Sequence, residues 1–364
     1  MSGRLLRLVC TAAVAAGTVL APLPAAAVPE PEPRERSVAE LLTDLQGLYR
    51  QAEEATEAYN ATEEKLKEKR AEVNRLDAAL SEVRLSLHDS RGAAGRLARQ
   101  QYQSSTDISP YVRLLLARDP QHALEQGHVI GQLARDRAKT MGRLTGTEHR
   151  ADGLARKARK ALDDQLTLAA RQKKDRDAVR ARLAGVEELL ASLTAEQLAR
   201  LAEFEEEGVE KAQRELTTSG ALGEDARKPS KEGGKALRYA RRQVGKPYEW
   251  GAEGPRTYDC SGLTSKAWAY AGTPIPRTSQ EQWARLPRVP LKELRPGDLV
   301  IYFPKATHVA IYLGRGRVIE APRTGEKIKV SPIAAHPLLG AVRPDGGDQA
   351  PATEATNAPA FSGS

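Results

Sequence analysis

A seven-residue repeat of apolar side chains runs through the first part of the chain and constrains its fold more than any other feature. Alternating steps of four and three residues from position 41 to position 87 select mainly Leu, Ala, Val and Tyr, and only Thr62 and Lys69 interrupt the series. A repeat of this length predicts a long helix that packs through one apolar seam, as in a coiled coil. A weaker repeat from Ile130 to Leu193 predicts a second long helix.

The stretch between the two repeats carries residues that interrupt helices. Ser109-Pro110 and later Pro120 lie there, and proline does not continue a helix. Two long helices joined at this point form either an antiparallel hairpin or a seam for a partner chain. The sequence leaves both arrangements open.

The first 27 residues have the pattern of a Sec-type signal peptide. Arg4 and Arg7 precede an apolar run that is too short to span a bilayer comfortably, and Ala25 to Ala27 fit a cleavage site. A membrane anchor is the less favoured alternative, and we expect a secreted protein. The predicted organisation is a signal peptide at 1–27, a Pro-rich spacer at 28–36, a helical coiled-coil region at 37–216, a linker at 217–234, a compact domain at 235–344 and a disordered tail at 345–364.

The compact domain contains all three tryptophans and changes its periodicity along its length. Its first half predicts three helices: one that stops at Gly245, one that begins at Cys260, and one opened by a capping box from Ser279 to Gln282. Its second half predicts strands at the end of LRPGDLVIYF, at HVAIYLG, at RVIEA and at 326–330. Helices followed by a small antiparallel sheet predict the α+β class.

Cys260 is the only cysteine outside the predicted signal peptide, since Cys10 lies within it. A thiol at a helix N-terminus faces unpaired backbone N–H groups and the positive end of the helix dipole, which lower its pKa. We therefore expect Cys260 to be a reactive nucleophile. The alternative is a buried cysteine that only packs.

A thiolate nucleophile needs a base, and the base needs a group that orients it. The compact domain offers His308 at the start of a strand and His336 in a predicted loop, and the strand position favours His308. Glu320 lies on the next strand of the same hairpin, within reach of the His308 ring. An exposed strand carboxylate is the alternative for Glu320.

Five motifs in this domain, in this order, resemble the NlpC/p60 family of cell-wall cysteine peptidases. They are YDCSGL, IPRTSQEQ, LRPGDLVIY, HVAIYLG and IEAP. The resemblance implies a papain-like α+β core, with Cys260 as nucleophile, His308 as base and Glu320 as the third polar residue. It implies hydrolysis of peptidoglycan stem peptides between D-glutamate and a diamino acid, without a metal or other cofactor.

The same resemblance implies a set of substrate-binding residues. They are Tyr248, Asp259, Ser261, Arg277 and Ser279. Helix capping is the alternative role for Asp259, Ser261 and Ser279.

The helical region resembles the helices attached to division-associated wall hydrolases, which implies a regulator or a docking element for a membrane division complex. The formal net charge of +8 suits an anionic wall, and no basic stretch with interleaved aromatic residues indicates nucleic acid. Two other functions remain open. One is a non-catalytic scaffold that activates other wall hydrolases, and the other is an amidase or acyltransferase on the same fold.

Overall fold

Two long helices make up the first part of the computed structural model, which describes residues 37–104, 112, 119–223 and 227–346. They are α1 (Val38–Ser104) and α2 (Pro120–Ser192). Pro120 occupies the first turn of α2, where its missing N–H interrupts no helical hydrogen bond, and the side chain of Asp119 caps the N–H of Gln121. The predicted long helices are confirmed.

The two helices run antiparallel. Thr62 Oγ1 donates a hydrogen bond to Asp175 at 2.7 Å, and Arg91 pairs with Glu148 at 3.3 Å. Residue numbers on α2 thus fall as those on α1 rise, so the chain forms the hairpin that was one of its two open arrangements. Several seam positions predicted by the repeat are buried, namely Ala52, Leu66, Val73 and Leu80.

A third helix, α3 (Ala195–Thr218), connects the hairpin to the C-terminal domain. It begins at a capping box formed by Thr194 and Gln197. Near its start, Leu201 packs against the first turns of α1, and near its end Leu216 packs on the sheet described below. The described residues from Val38 onward belong to one compact unit.

Three helices precede six strands in the C-terminal domain. The helices are α4 (Lys231–Arg241), α5 (Cys260–Ala271) and α6 (Ser279–Arg285). The strands are β1 (Arg288–Val289), β2 (Leu299–Tyr302), β3 (His308–Gly314), β4 (Arg317–Glu320), β5 (Lys329–Pro332) and β6 (Leu338–Val342). They form one antiparallel sheet in the order β1-β6-β2-β3-β4-β5. The predicted α+β class is confirmed.

Both faces of the sheet are covered, because alternate residues of each strand point to opposite sides. One face packs against α4 and α5 through Leu299, Ile301, Val309 and Ile311. The other face meets the end of α3 and the segment after it, through Val300, Tyr302, Ala310 and Tyr312.

Two predicted boundaries are wrong by a few residues. α4 ends at Arg241 rather than Gly245, because the backbone N–H of Gly245 bonds instead to the carbonyl of Ile328 at 2.8 Å. The strand predicted at 326–330 is β5, because Glu326 is held in a turn with Arg323 before the ladder begins.

Some predicted segments lie partly or wholly outside the described residues. These are the signal peptide (1–27), the spacer (28–36), most of the break between the long helices and the tail beyond residue 346. The predicted linker (217–234) includes the end of α3 and the start of α4, and residues 224–226 within it are not described. Across the described part of the chain, no helix combines the length and hydropathy needed to cross a membrane.

Candidate active site

Cys260 is the first residue of α5, where the sequence predicts it. Asp259 is the N-cap, and its Oδ1 accepts a hydrogen bond from the N–H of Gly262 at 2.6 Å. Gly272, in the left-handed conformation with φ 96°, ends the helix. The thiol is enclosed, with the residue only 3% exposed.

The surroundings of the thiol reverse the expected direction of its pKa shift. Burial raises the pKa of Cys260 well above its ordinary value, and the nearby carboxylates Glu57, Asp259 and Glu53 raise it further, against the opposing charge of Arg277. These effects outweigh the helix N-terminus. The prediction of a lowered pKa is therefore wrong for this arrangement, which favours the protonated form of the thiol.

His308 and Glu320 contact each other in the interior of the sheet. His308 Nε2 lies 2.9 Å from Glu320 Oε2, and both residues are almost fully buried. The register of the β3–β4 hairpin explains the contact. Ile311 pairs with Ile319, so Glu320 lies opposite Ala310 if the register continues. Ala310 is two residues from His308, and residues two apart on a strand lie on the same face of the sheet. The other ring nitrogen, His308 Nδ1, has no hydrogen-bond partner among the described residues.

His336 is a second imidazole on the same carboxylate. It follows the short 3-10 helix Ile333–Ala335, and its Nε2 lies 3.1 Å from Glu320 Oε2. Burial opposes ionisation of Glu320, but the charges and hydrogen bonds of His336 and His308 outweigh it and hold the pKa of Glu320 well below its usual range. Within the described residues, His308, Glu320 and His336 form the cluster whose side chains could hold a metal ion, with ligand atoms within 4.8 Å of one another.

Arg277 joins three of the predicted substrate-binding residues into one network. Its guanidinium donates to both carboxylate oxygens of Asp259, at 3.0 and 2.7 Å, and to Ser261 Oγ at 2.8 Å. Asp259 therefore both caps α5 and forms a buried ion pair. Ser261 is fully buried beside the thiol-bearing residue.

Ser279 and Tyr248 lie in the same region. The predicted capping box at Ser279 is wrong by one residue, since Thr278 is the N-cap of α6 and accepts a hydrogen bond from the N–H of Glu281. Ser279 Oγ instead donates to the carbonyl of Ala306 at 2.7 Å. Tyr248 is buried in the same apolar cluster as Cys260. The structure thus brings all eight predicted site residues into one region of the domain.

Comparison with known proteins agrees with this geometry. Residues 245–339, which include the helix of Cys260 and the strands of His308 and Glu320, match the NlpC/P60 family. This chain carries an NlpC/P60 domain. The resemblance noted from the motifs is confirmed.

Relatives of the NlpC/P60 domain bear the names of endopeptidases. The chain is 45% identical to a Corynebacterium glutamicum protein named "Probable endopeptidase", over 29% of this chain and 50% of that one. It is 37% identical to peptidoglycan endopeptidase RipA of Mycolicibacterium smegmatis, over 32% of this chain and 26% of that one. The chain thus spans half or less of the length of these relatives.

A solved structure that resembles the domain is RipD of Mycobacterium tuberculosis, described as a non-catalytic NlpC/p60 domain protein adapted to peptidoglycan binding. The identity is 30%, the match covers 31% of this chain and 98% of that chain, and the TM-score is 0.29.

One face of α1 covers the Cys260 and His308 region of the NlpC/P60 domain. Glu57 accepts hydrogen bonds from Ser261 Oγ and from the backbone N–H of Ser279, each at 2.8 Å, and its Oε1 lies 3.9 Å from Cys260 Sγ. One turn later, Asn60 donates its side-chain N–H to Asp259 at 3.0 Å.

Glu53 completes this face one turn earlier, with Oε1 at 3.9 Å from His308 Nδ1. Glu53, Glu57 and Asn60 follow one another at helical spacing and are buried at 8%, 1% and 1% exposure. Since neighbouring turns of α1 contact His308 and Cys260, both side chains open onto the same stretch of this helix.

Further contacts surround this buried face. The rings of Tyr59 and Trp250 meet edge to face with centroids 5.2 Å apart. Lys305 pairs with Glu54 at 2.7 Å on the exposed rim. Exposed ion pairs of this kind contribute little to stability, so the buried carboxylate contacts and the aromatic pair carry more of the docking energy.

Sequence reasoning missed four residues of the site: Glu53, Glu57, Asn60 and His336. On the heptad grid the first three lie beside the apolar seam, where polar residues are typical of a solvated helix face. No local signal distinguishes them. His336 had a signal, being one of only two histidines in the domain, but its loop position gave no reason to place it near Glu320.

Proposed function

We propose that the protein is a secreted cysteine peptidase that hydrolyses peptidoglycan stem peptides, and that its own helix α1 keeps it latent. The observation that carries the enzymatic part is the buried His308–Glu320 contact in an NlpC/P60 domain whose only cysteine starts a helix. The names of the endopeptidase relatives support the same activity.

The contact between His308 and Glu320 sets the tautomer of the imidazole. An ionised carboxylate only accepts hydrogen bonds, so Nε2 carries the ring hydrogen and Nδ1 keeps its lone pair. In the proposed mechanism Nδ1 takes the proton of the Cys260 thiol, and the thiolate attacks the scissile carbonyl. Glu320 holds the ring in place and stabilises the imidazolium that forms.

The remaining steps return the proton and the enzyme to their starting state. The backbone N–H of Cys260 donates to the oxyanion of the tetrahedral intermediate. The imidazolium gives its proton to the leaving amine, which leaves an acyl group on the sulfur. A water molecule, deprotonated by His308, then attacks the thioester and releases the acyl group as a carboxylic acid, and the imidazolium returns its proton to Sγ of Cys260.

The contacts of Glu57 support an acidic substrate. Its carboxylate accepts hydrogen bonds from the Ser261 hydroxyl and the Ser279 N–H, so this pocket can hold the carboxylate of a ligand. Asn60 supplies an N–H donor to Asp259, as a substrate amine or amide would. We propose that the D-glutamate of a stem peptide replaces Glu57 and that the bond from D-glutamate to the diamino acid is cut. Tyr248 and Arg277 complete the proposed subsite.

The same contacts support latency. With α1 docked, Glu57 fills the space beside the thiol, and burial, together with the nearby Glu57 carboxyl, raises the pKa of the Cys260 thiol. A substrate reaches Cys260 only after this face of α1 moves away. The docked α1 therefore competes with the substrate for the space beside Cys260, and the helical hairpin is the proposed regulator.

The test compares three proteins on purified peptidoglycan: the full chain, a chain without residues 37–192 that keeps α3, and the latter with Cys260→Ala. We expect slow hydrolysis by the first, fast hydrolysis by the second and none by the third, with mass spectrometry showing new termini at D-glutamate and the diamino acid. Equal products from the second and third proteins would favour the scaffold function instead. Products cut at another amide bond, or acyl transfer to an amine, would favour the amidase or acyltransferase alternative.

The scaffold alternative has one specific observation in its favour, which is the description of RipD as non-catalytic. The intact set of Cys260, His308 and Glu320 favours catalysis in this chain. A cell-wall location and a membrane division-complex partner for the hairpin stay predictions, and fractionation of cells with an antibody to the chain tests the first of them.

A further inference from the structure

Two imidazoles contact the same oxygen of Glu320. One such contact is enough to orient a catalytic base, so the second needs another explanation. His308 Nε2 lies 2.9 Å and His336 Nε2 lies 3.1 Å from the same Oε2. The side chains of His308 and Glu320 are 0% and 1% exposed, and that of His336 is 21% exposed. A single orienting contact would need only one of the two rings.

The three donor atoms match the ligand preference of Zn²⁺. Zn²⁺ binds imidazole nitrogen and carboxylate oxygen at about 2.0–2.2 Å in tetrahedral sites, often with three protein ligands and one water. Tetrahedral ligands at those distances are about 3.3 Å apart. The two Nε2–Oε2 distances are a few tenths of an ångström shorter, so a small opening of the cluster accommodates the ion.

An entry route reaches two of the three ligands without passing the thiol. A cavity of about 440 Å³ between α3 and the strands β4 and β5 is lined by Glu320 and His336. Carboxylates outnumber cations on its other walls, which include Glu205, Glu206, Glu210 and Glu326 against Arg323 and Lys329. The side chain of His336, partly exposed, is the ligand nearest to solvent.

A second, independent observation lies on the opposite side of the His308 ring. Within the part of the chain that the structure describes, Nδ1 of His308 has no hydrogen-bond partner. Neither has the buried Oε2 of Glu53, whose Oε1 is 3.9 Å from that nitrogen. Zinc-binding histidines usually donate their second ring N–H to a carboxylate. The Glu53 carboxylate lies on the Nδ1 side of the His308 ring, which is the position of such an outer partner.

We propose that His308, His336 and Glu320 form a Zn²⁺ site that switches the enzyme off. Coordination uses the lone pair of His308 Nε2, so the hydrogen on that atom leaves it and the neutral ring carries its hydrogen on Nδ1. Nδ1 then has no lone pair to accept the proton of the thiol. The same Nδ1–H donates to Glu53, so the bound ion also strengthens the docking of α1. The site is inhibitory and leaves the metal-free mechanism unchanged.

Zn²⁺ binding to the full chain is measured by competition with a chromogenic chelator, and the ligand geometry by the absorption spectrum of the Co²⁺ form. We expect one ion per chain and a tetrahedral Co²⁺ spectrum. His336→Gln should weaken the affinity about 100-fold or more, since loss of even an outer partner costs about 10–100-fold. The matched control is His149→Gln, an exposed histidine on α2, which should bind as the unmodified chain does.

Three further variants separate this site from other sources of binding. Cys260→Ala should bind Zn²⁺ as tightly as the unmodified chain, and a loss of binding in this variant would place the ion on the thiol and overturn the proposal. Glu53→Gln should weaken Zn²⁺ binding about 10-fold. The matched control is Glu54→Gln, which changes the exposed neighbouring residue and should leave Zn²⁺ binding unchanged. Equal affinities in these last two variants would overturn the outer role of Glu53.

Because binding is measured directly, the result does not depend on whether the chain is a peptidase. Zn²⁺ should also raise the thermal midpoint of the unmodified chain and not that of His336→Gln, whose fold is checked by circular dichroism.

In a Glu57→Ala full chain, Zn²⁺ should stop hydrolysis, a chelator should restore it, and Mg²⁺ should have no effect, as a hard cation prefers oxygen ligands. Absence of stoichiometric binding, or unaltered binding in His336→Gln, would overturn the site.

Discussion

Glu57 of α1 accepts a hydrogen bond from Ser261, the residue next to the candidate nucleophile, at 2.8 Å. The two residues are 204 positions apart in the chain, and both are buried. The contact sets a carboxylate from the helical hairpin beside the thiol of Cys260. It also makes the hairpin and the NlpC/P60 domain parts of one site.

Replacing Glu57 should activate the full chain. Glu57→Ala removes two hydrogen bonds to the pocket, each worth about 0.5–1.5 kcal/mol when the carboxyl is neutral and about 1.5–3 kcal/mol when it is ionised. We expect roughly a 10-fold or greater increase in the initial rate on peptidoglycan, measured by release of soluble fragments.

The matched control for this change is Glu68→Ala, an exposed glutamate three turns further along α1. It should leave the rate unchanged. Equal rates for the two variants would show that Glu57 does not hold the enzyme latent.

The latency should weaken as the pH rises. Burial, followed by the charge of Asp259, raises the pKa of Glu57 to about 7 in the docked state, while a released glutamate titrates at about 4.3. The docked state therefore holds its proton more tightly, and docking is strongest below about pH 4.3 and weakens until about pH 7. The rate of the full chain, divided by that of the chain lacking residues 37–192, should rise at least about 10-fold from pH 5 to pH 7.

The ratio of rates removes the effect of pH on Cys260 and His308, because both proteins contain them. Glu57→Gln keeps the shape of the side chain but does not titrate, so its ratio should be much less dependent on pH. A ratio that rises as steeply in Glu57→Gln would assign the pH dependence to another group, such as Glu53, whose pKa is also raised by burial.

Glu320 should affect the chemical step more than substrate binding. Glu320→Gln keeps the volume but removes the charge that stabilises the imidazolium of His308, so we expect kcat to fall about 100-fold or more with little change in KM. Steady-state kinetics on a defined stem peptide, in the chain lacking residues 37–192, measure both constants. Glu326→Gln, at the surface turn before β5, is the control and should keep both. A change confined to KM would contradict the proposed role.

The Arg277–Asp259 ion pair should stabilise the domain. Both side chains are buried, and removal of one partner from a buried pair costs about 3–5 kcal/mol because the other charge is left without compensation. Arg277→Ala should lower the free energy of unfolding in urea by about that amount. Arg285→Ala breaks an exposed pair with Glu281 and should cost less than about 1 kcal/mol. Similar losses in the two variants would mean that burial does not set the strength of the pair.

The helices and the β3–β4 hairpin follow from local patterns, so the sequence predicts them. The heptad repeat predicts α1 and α2, and Asp119, Thr194 and Ser230 cap helices with side chains that are local to each turn. The contact between His308 and Glu320 is also nearly local, because a short hairpin fixes which residues lie on the same face. The small errors at Gly245 and Ser279 arise where a residue bonds to a distant backbone group instead of its own helix.

The sequence alone therefore determined the two long helices, the α+β domain and the candidate pair His308 and Glu320, since each depends on spacing along the chain. Only the tertiary structure decided the state of Cys260. The helix N-terminus favours a thiolate, but Glu57 and burial come from a helix some 200 residues away and favour the thiol. Likewise, only the fold brings His336 to Glu320, because no pattern in a sequence reports which loop closes over a carboxylate.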